Sequence, residues 1–342
     1  MRSAELPLPP HFNPDRVETI WKVPYQERLG GAREWAVQHR ISSAAGDAKR
    51  ICLLLVDVQN TFCIPDFELY VGGRSGRGAV DDNRRLCEFI YRNLGFITQI
   101  CATMDTHRMM QIFHNIFLLD GKGNHPEPFS LGSVEDIEAG KWKFNSGIAA
   151  VLGIEPGQGQ KHLFHYVEKL REGGKYELTV WPYHAMLGGI GHALVAAVEE
   201  AIFFHAGARS SQPFFQLKGD NSLTEHYSVL RPEVTEGVGG EQVGTTNTML
   251  IDQLLSFDAV LIAGQAKSHC IAWTVEDVLA EIVARDAGLA QKFYLLEDCT
   301  SPVVVPDLID YTDKADESFQ RFAAAGMHRV CSTEPLTSWL DI

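Results

Sequence analysis

The sequence predicts a doubly wound α/β fold: a parallel sheet of about six strands with helices on both faces, giving three layers. Three observations carry this reading. Short unbroken apolar runs recur, Ile51-Cys52-Leu53-Leu54-Leu55-Val56 being the clearest, and such a run marks a strand buried on both faces. Segments with apolar residues at helical spacing alternate with these runs, the pattern of a parallel sheet joined by crossover helices. The stretch from Phe257 to Leu279 shows one complete unit, with an apolar run to Ala263, small residues from Gly264, and helical periodicity from Cys270.

At 342 residues the chain is long for one ordinary domain, and a single α/β domain with insertions accommodates it. The hydrophobic fraction of 45% and charged fraction of 22% are those of a globular protein. A formal charge of −14, with no run of Lys and Arg, excludes a nucleic-acid surface. No apolar stretch is long enough to span a bilayer, and Met1 to Pro14 lacks the basic-then-apolar order of a signal peptide. The expectation is a cytoplasmic protein with no membrane partner. Seven cysteines (52, 63, 87, 101, 270, 299 and 331) are scattered without a C-x-x-C pair, which reads as reduced thiols.

Residues 1–48, rich in Pro, Arg and polar groups, read as an N-terminal extension with a helix from Gly31 to His39; it wraps the core or touches another subunit. The domain proper runs over residues 49–342. Its first strand ends at Asp57. A helix from Ala79 to Leu94 leads to a second strand, Gly95 to Thr103, which ends at Met104-Asp105-Thr106-His107. Asp105 and His107 are two apart, so an extended backbone turns both to one face. Residues from about 120 to 177 change texture and read as an insertion holding a helix from His162 to Arg171. An apolar segment, Tyr176 to Val180, precedes Trp181-Pro182-Tyr183-His184, and a helix is expected from Gly191 to His205. A strand from Pro213 to Leu217 ends at Lys218, and a helix from Asn247 to Leu255 leads into the Cys270 unit. A strand from Lys292 to Leu296, a helix from Leu308 to Ala325 and a short strand from His328 to Cys331 complete the pattern.

Parallel sheets bind ligands at the carboxyl ends of their strands, near the switch in strand order. Asp57, Asp105, His107, Lys218 and Cys270 all fall there. Taken singly, Asp57 is a turn cap, Lys218 a solvated charge, and His107 or His184 an ordinary hydrogen-bonding side chain. Neither capping nor solvation explains why they share one end of the sheet. Cys270 opens a helix, where free N–H groups and the dipole favour a thiolate; a buried, inert cysteine is the alternative.

These residues carry a resemblance. Asp57-Val58-Gln59-Asn60-Thr61-Phe62-Cys63 with Gly72-Gly73, Asp105-Thr106-His107, Trp181-Pro182-Tyr183-His184, Lys218, and Gly264-Gln265-Ala266-Lys267-Ser268-His269-Cys270 resemble the isochorismatase-like cysteine hydrolases, most of all their nicotinamidase branch. The resemblance implies a catalytic triad of Asp57, Lys218 and Cys270, in which Cys270 attacks an amide carbonyl, Asp57 takes and returns the proton, and Lys218 favours the thiolate. It implies an oxyanion hole from the amides of Ala266 and Cys270, with a cis peptide between Gln265 and Ala266. It implies Asp105, His107 and His184 as ligands of a divalent metal, zinc first, with iron or manganese also compatible. Phe62 and Trp181 then flank a substrate ring. The implied substrate is a small amide, nicotinamide or a close heteroaromatic relative; another small amide or ureido compound, or ligand binding without turnover, are the alternatives. The family often forms oligomers, so a homo-oligomer is expected. Two positions depart from the nicotinamidase pattern. Thr61 stands where an acidic residue is usual, and Ala185 follows His184 where cysteine is usual.

Overall fold

The structure, a computed structural model, describes residues 5–341. Six strands form one parallel sheet: β1 (Ile51–Val56), β2 (Gln99–Asp105), β3 (Phe214–Lys218), β4 (Ala259–Gly264), β5 (Phe293–Leu296) and β6 (His328–Val330). Their order is β6-β5-β4-β1-β2-β3. The chain therefore starts in the middle, builds outward through β2 to β3, and returns to lay β4 on the other side of β1. That reversal opens a crevice at the carboxyl ends of β1 and β4.

Seven helices of at least two turns accompany the sheet: α1 (Tyr25–Gln38), α2 (Gly78–Arg92), α3 (Pro156–Glu172), α4 (Ala196–Arg209), α5 (Thr248–Leu255), α6 (Ala272–Arg285) and α7 (Thr312–Ala324). The alternation of side chains along β1 decides which helix covers which face. Ile51, Leu53 and Leu55 join a core with Leu86 and Ile90 of α2 and Val198 and Ile202 of α4. Cys52, Leu54 and Val56 join another with Leu254 of α5, Val275 and Val278 of α6, and Phe319 of α7. Both faces of β1 are apolar because both are covered, which is why its sequence shows no alternation. The expected three-layer arrangement is the one observed.

The N-terminal helix begins earlier than expected, at Tyr25, and lies on α4, where Arg28 Nε donates to Glu200 Oε1 at 2.6 Å. Residues of the insertion pack a separate core in which Phe117, Phe144, Leu163, Val167 and Trp181 are buried together. Its strands are two-residue antiparallel pairs outside the main sheet, Leu118–Leu119 with Lys143–Phe144 and Leu131–Gly132 with Leu178–Thr179. The expected helix from Gly191 starts only at Ala196. Its first residues are held extended instead: Asn60 N donates to Ala193 O and Val195 N to Val58 O. No helix among the described residues is long and apolar enough to cross a membrane.

His205 is fully buried on α4, and its Nε2 donates to Ile97 O at 2.9 Å. Burial pushes its pKa down to about 4. The unfolded chain then takes up a proton near pH 6.5 that the native chain refuses until about pH 4, so the stability this group contributes falls as pH drops through that window. At pH 5 the loss is about 2 kcal/mol from this residue. Urea unfolding at pH 7.5 and pH 5 should show it, with a smaller pH difference in His205→Gln.

Candidate active site

Asp57, Asp105 and Lys218 stand at or just past strand ends because the parallel register puts them there, and the other proposed residues come from the segments between the strands. Asp105 and Lys218 are paired across β2 and β3. Asp57 follows β1 with a φ of +48°, a left-handed conformation that turns the chain sharply away from the sheet. Its carboxylate is fixed by Thr103, whose hydroxyl donates to Asp57 Oδ1. Gln59 reaches back to β2: its Oε1 accepts from Asp105 N at 2.7 Å, and its Nε2 donates to Asp105 O at 2.8 Å. The Asp-Val-Gln sequence thus clamps the end of the neighbouring strand.

Across the crevice, β4 ends at Gly264, with φ +119°. A Cβ there would lie 2.0 Å from Val56 O, so only glycine lets β4 lie against β1 and turn. The next peptide, Gln265–Ala266, is cis, as expected. Gln265 is pinned on both sides, donating to Asp82 Oδ2 at 2.9 Å and accepting from Ser301 N at 3.2 Å. Cys270 does not sit on the first turn of a regular α-helix. It lies in a wider π-type turn, Lys267–Ile271, and α6 starts after it. The wider turn is an irregularity typical of functional sites and one that apolar spacing does not reveal.

Lys218 joins these groups. Its ammonium is 3.0 Å from Asp57 Oδ2 and 2.8 Å from Asp105 Oδ1, donates to His226 O at 2.8 Å, and stands 3.6 Å from Cys270 Sγ. Burial works against its charge, but the Asp105 and Asp57 carboxylates and Cys270 outweigh burial and raise its pKa well above the ordinary lysine range. Burial pushes the Cys270 thiol well up, with Lys218 opposing. Burial likewise raises Asp57, again opposed by Lys218. Burial thus opposes, and Lys218 favours, the thiolate expected of a cysteine at a helix terminus.

Asp105, His107 and His184 come together as buried residues with ligand atoms all within 4.8 Å of one another. Their surroundings fit a divalent metal. His107 Nδ1 donates to Gly219 O at 2.9 Å and His184 Nδ1 to Pro182 O at 2.8 Å, which leaves both Nε2 atoms turned to Asp105 Oδ2, at 2.8 Å and 3.7 Å. Gly219 is required for this approach, since a Cβ would lie 2.6 Å from Asp105 Oδ1. A third imidazole, His114, has its centroid 6.0 Å from both of the other rings and a buried Nε2 without a partner.

Phe62, Trp181, Asp105, His184, Ala266 and Cys270 line one compact cavity. Trp181 is held by a hydrogen bond from its Nε1 to Tyr227 Oη at 3.0 Å, and Phe62 meets His184 edge-on at 5.6 Å. Two polar lining residues escaped the sequence reading, Glu225 and Tyr227, as did the apolar Leu69, Val71 and Val303; His269 stood in the Cys270 motif without an assigned role. Glu225 and Tyr227 lie in the irregular loop after Lys218, where no periodicity points to them. Burial raises the Glu225 pKa to about 7, and its Oε2 has no partner. Tyr176 of the insertion donates to Ser268 O at 2.9 Å and packs on His269 at 4.9 Å, so the insertion covers this edge of the site. The two departures from the nicotinamidase pattern touch: Ala185 N donates to Thr61 Oγ1 at 3.3 Å, and Thr61 donates to Glu68 Oε2 at 3.1 Å.

Comparison with known proteins is informative through structure alone. No family model matches the sequence, and no curated protein matches it. Among solved structures, the yeast nicotinamidase Pnc1p bound to the inhibitor nicotinaldehyde is similar over 82% of this chain and 99% of its own, with a TM-score of 0.51 and 16% identity. A nicotinamidase and pyrazinamidase from Acinetobacter baumanii is similar over 84% of this chain and 98% of its own, with a TM-score of 0.50 and 17% identity. The resemblance to these nicotinamidases is thus one of fold.

The donor set predicts one divalent ion per chain, measurable by plasma mass spectrometry. Asp105→Asn should lose it, and Gln59→Ala, which loosens the Asp105 clamp without removing a ligand, should weaken it by about 10–100-fold in a chelator competition.

Proposed function

We propose that the protein is a nicotinamidase-like amidohydrolase that converts nicotinamide, or a close heteroaromatic amide, to the acid and ammonia through a thioester on Cys270. The observation that carries this reading is the single Lys218 ammonium shared by Asp57, Cys270 and Asp105 at the edge of a cavity flanked by Phe62 and Trp181. It ties a nucleophile and its base to a metal-ligand set beside one compact cavity.

Cys270 Sγ attacks the amide carbon and gives its proton to Asp57, while Lys218 holds the charge that develops between them. The backbone amides of Ala266 and Cys270 receive the carbonyl oxygen as it becomes an oxyanion. Asp57 returns the proton to the amine, ammonia leaves, and a thioester remains. Water then attacks the thioester with Asp57 as base, releasing the acid and restoring the thiol. Asp105, His107 and His184 would hold the metal, and a bound zinc, iron or manganese ion supplies a Lewis-acid point that anchors a ring nitrogen. Phe62 and Trp181 keep the ring in plane between aromatic faces.

A second reading, hydrolysis of another small amide or a ureido compound, draws on one feature of the cavity. Glu225 Oε2 is buried and unpartnered, and it calls for a donor that a plain pyridine ring does not offer. Ligand binding without turnover is the remaining alternative, and an intact triad speaks against it.

Ammonia release from nicotinamide by the purified protein separates these readings. Wild type should turn over, and Cys270→Ala should lower kcat by at least about a thousandfold. Turnover of ureido compounds alone would favour the second reading, and no turnover of any small amide by metal-loaded protein would favour the third. Tyr176→Ala, which opens the covered edge, should raise KM more than it lowers kcat.

A further inference from the structure

A second cavity lies on the far side of α4, away from Cys270. It has a volume of about 210 Å³ and forms where the N-terminal segment arches over the first turns of the helix. The segment is firmly docked: Val17 and Val23 are buried, and Leu6 N donates to Arg92 O. The cavity is therefore a fixed feature of the fold rather than a gap under a loose tail.

Its charge opposes that of the chain. The protein carries −14 overall, yet Arg16, Lys22 and Arg28 line this cavity against one carboxylate, Glu200. Arg28 spends Nε on Glu200 at 2.6 Å and Nη1 on Glu27 at 3.1 Å, so its Nη2 has no partner among the described residues. Arg16 stands 4.7 Å above the Trp21 ring, and neither it nor Lys22 has a carboxylate partner among the described residues. Phe12 and Trp21 supply an apolar wall beside these cations. Arg16 and Lys22 beside the Arg28–Glu200 pair, on an otherwise acidic chain, leave an excess of positive charge that favours a negative ligand. Arginine forks suit planar carboxylates and phosphates.

We propose that this cavity is a binding site for a small organic anion, a carboxylate or phosphate on a flat apolar body. Arg16, Lys22 and Arg28 Nη2 hold the anionic group, and Phe12 and Trp21 face the body. The site is separate from the catalytic cavity, and the proposal does not depend on which amide is hydrolysed.

The test is calorimetric titration of the full chain at low ionic strength with phenyl phosphate, benzoate and inorganic phosphate. Phenyl phosphate or benzoate should bind one per chain. Arg16 and Lys22 are exposed, so Arg16→Ala with Lys22→Ala should leave the fold intact, as checked by circular dichroism, and weaken binding at least tenfold. Trp21→Ala should weaken the two aromatic anions and leave inorganic phosphate unchanged. Trp181→Ala, in the catalytic cavity, should leave all three unchanged. The proposal fails if the double variant binds like wild type, if Trp181→Ala alone abolishes binding, or if inorganic phosphate binds as tightly as the aromatic anions.

Discussion

The site depends on one buried cation. Lys218 stands between Asp57 and Asp105, and without it two carboxylates on adjacent strands would share a dry crevice and could not both stay ionised. With it, Asp105 is held well below the ordinary carboxylate range, where burial alone would raise it, by the nearby His107 and Lys218 charges. Asp105 is then a permanent anion suited to a metal. Asp57 keeps a raised pKa and so suits proton transfer. The ammonium lowers the pKa of both carboxyl groups, the imidazole of His107 beside Asp105 sets them apart, and the 3.6 Å approach of Lys218 to Cys270 ties the nucleophile to both.

That ammonium is positioned by the sheet rather than by its own loop. Parallel pairing brings Asp105 and Lys218 level, and the reversal of strand order leaves an opening between β1 and β4 into which Asp57 and Cys270 are turned. Both turns exploit unusual backbone, a left-handed Asp57 on one side and Gly264 on the other. Strain in such places persists only when the neighbours over-determine it. Here Thr103 and Gln59 do so, each through two hydrogen bonds to the turn or to the strand beside it, and Gln265 does so through Asp82 of α2 and Ser301 N.

The segments outside the central sheet serve different faces. The insertion, with an apolar core of its own, brings Tyr176 to the catalytic edge. The N-terminal segment lies on α4, the helix whose leading residues are pinned to Val58 and Asn60 just beyond Asp57. The layers around the sheet therefore do more than cover it, since both touch elements that frame the crevice.

Much of this was legible in the linear sequence. Unbroken apolar runs located the strands of the sheet because a strand covered on both faces has no polar side, and the residues ending those runs, Asp57, Asp105, Lys218 and then Cys270, were readable as one edge. The start of α4 was misplaced by several residues, because the backbone of 193–195 pairs with Val58 and Asn60 instead of coiling, a long-range choice that local periodicity does not record; β2 starts at Gln99 instead of Gly95, since Phe96 N and Ile97 N turn back to Asn93 O first. Glu225 and Tyr227 gave no signal, since an irregular loop carries no period and their place in the cavity depends on how the loop after β3 folds back; His269 stood in the Cys270 motif without a role assigned to it. Burial and Lys218 act on the Cys270 thiol in opposite directions, burial raising its pKa and the ammonium lowering it, and the burial is invisible to local dipole and charge because it exists only once every layer is in place. The sequence by itself determined which residue types meet at the sheet edge, because period and strand ends are local properties. Only the tertiary structure decided their burial, the wall around them and the cationic cavity on α4, because desolvation and convergence arise from segments far apart in the chain.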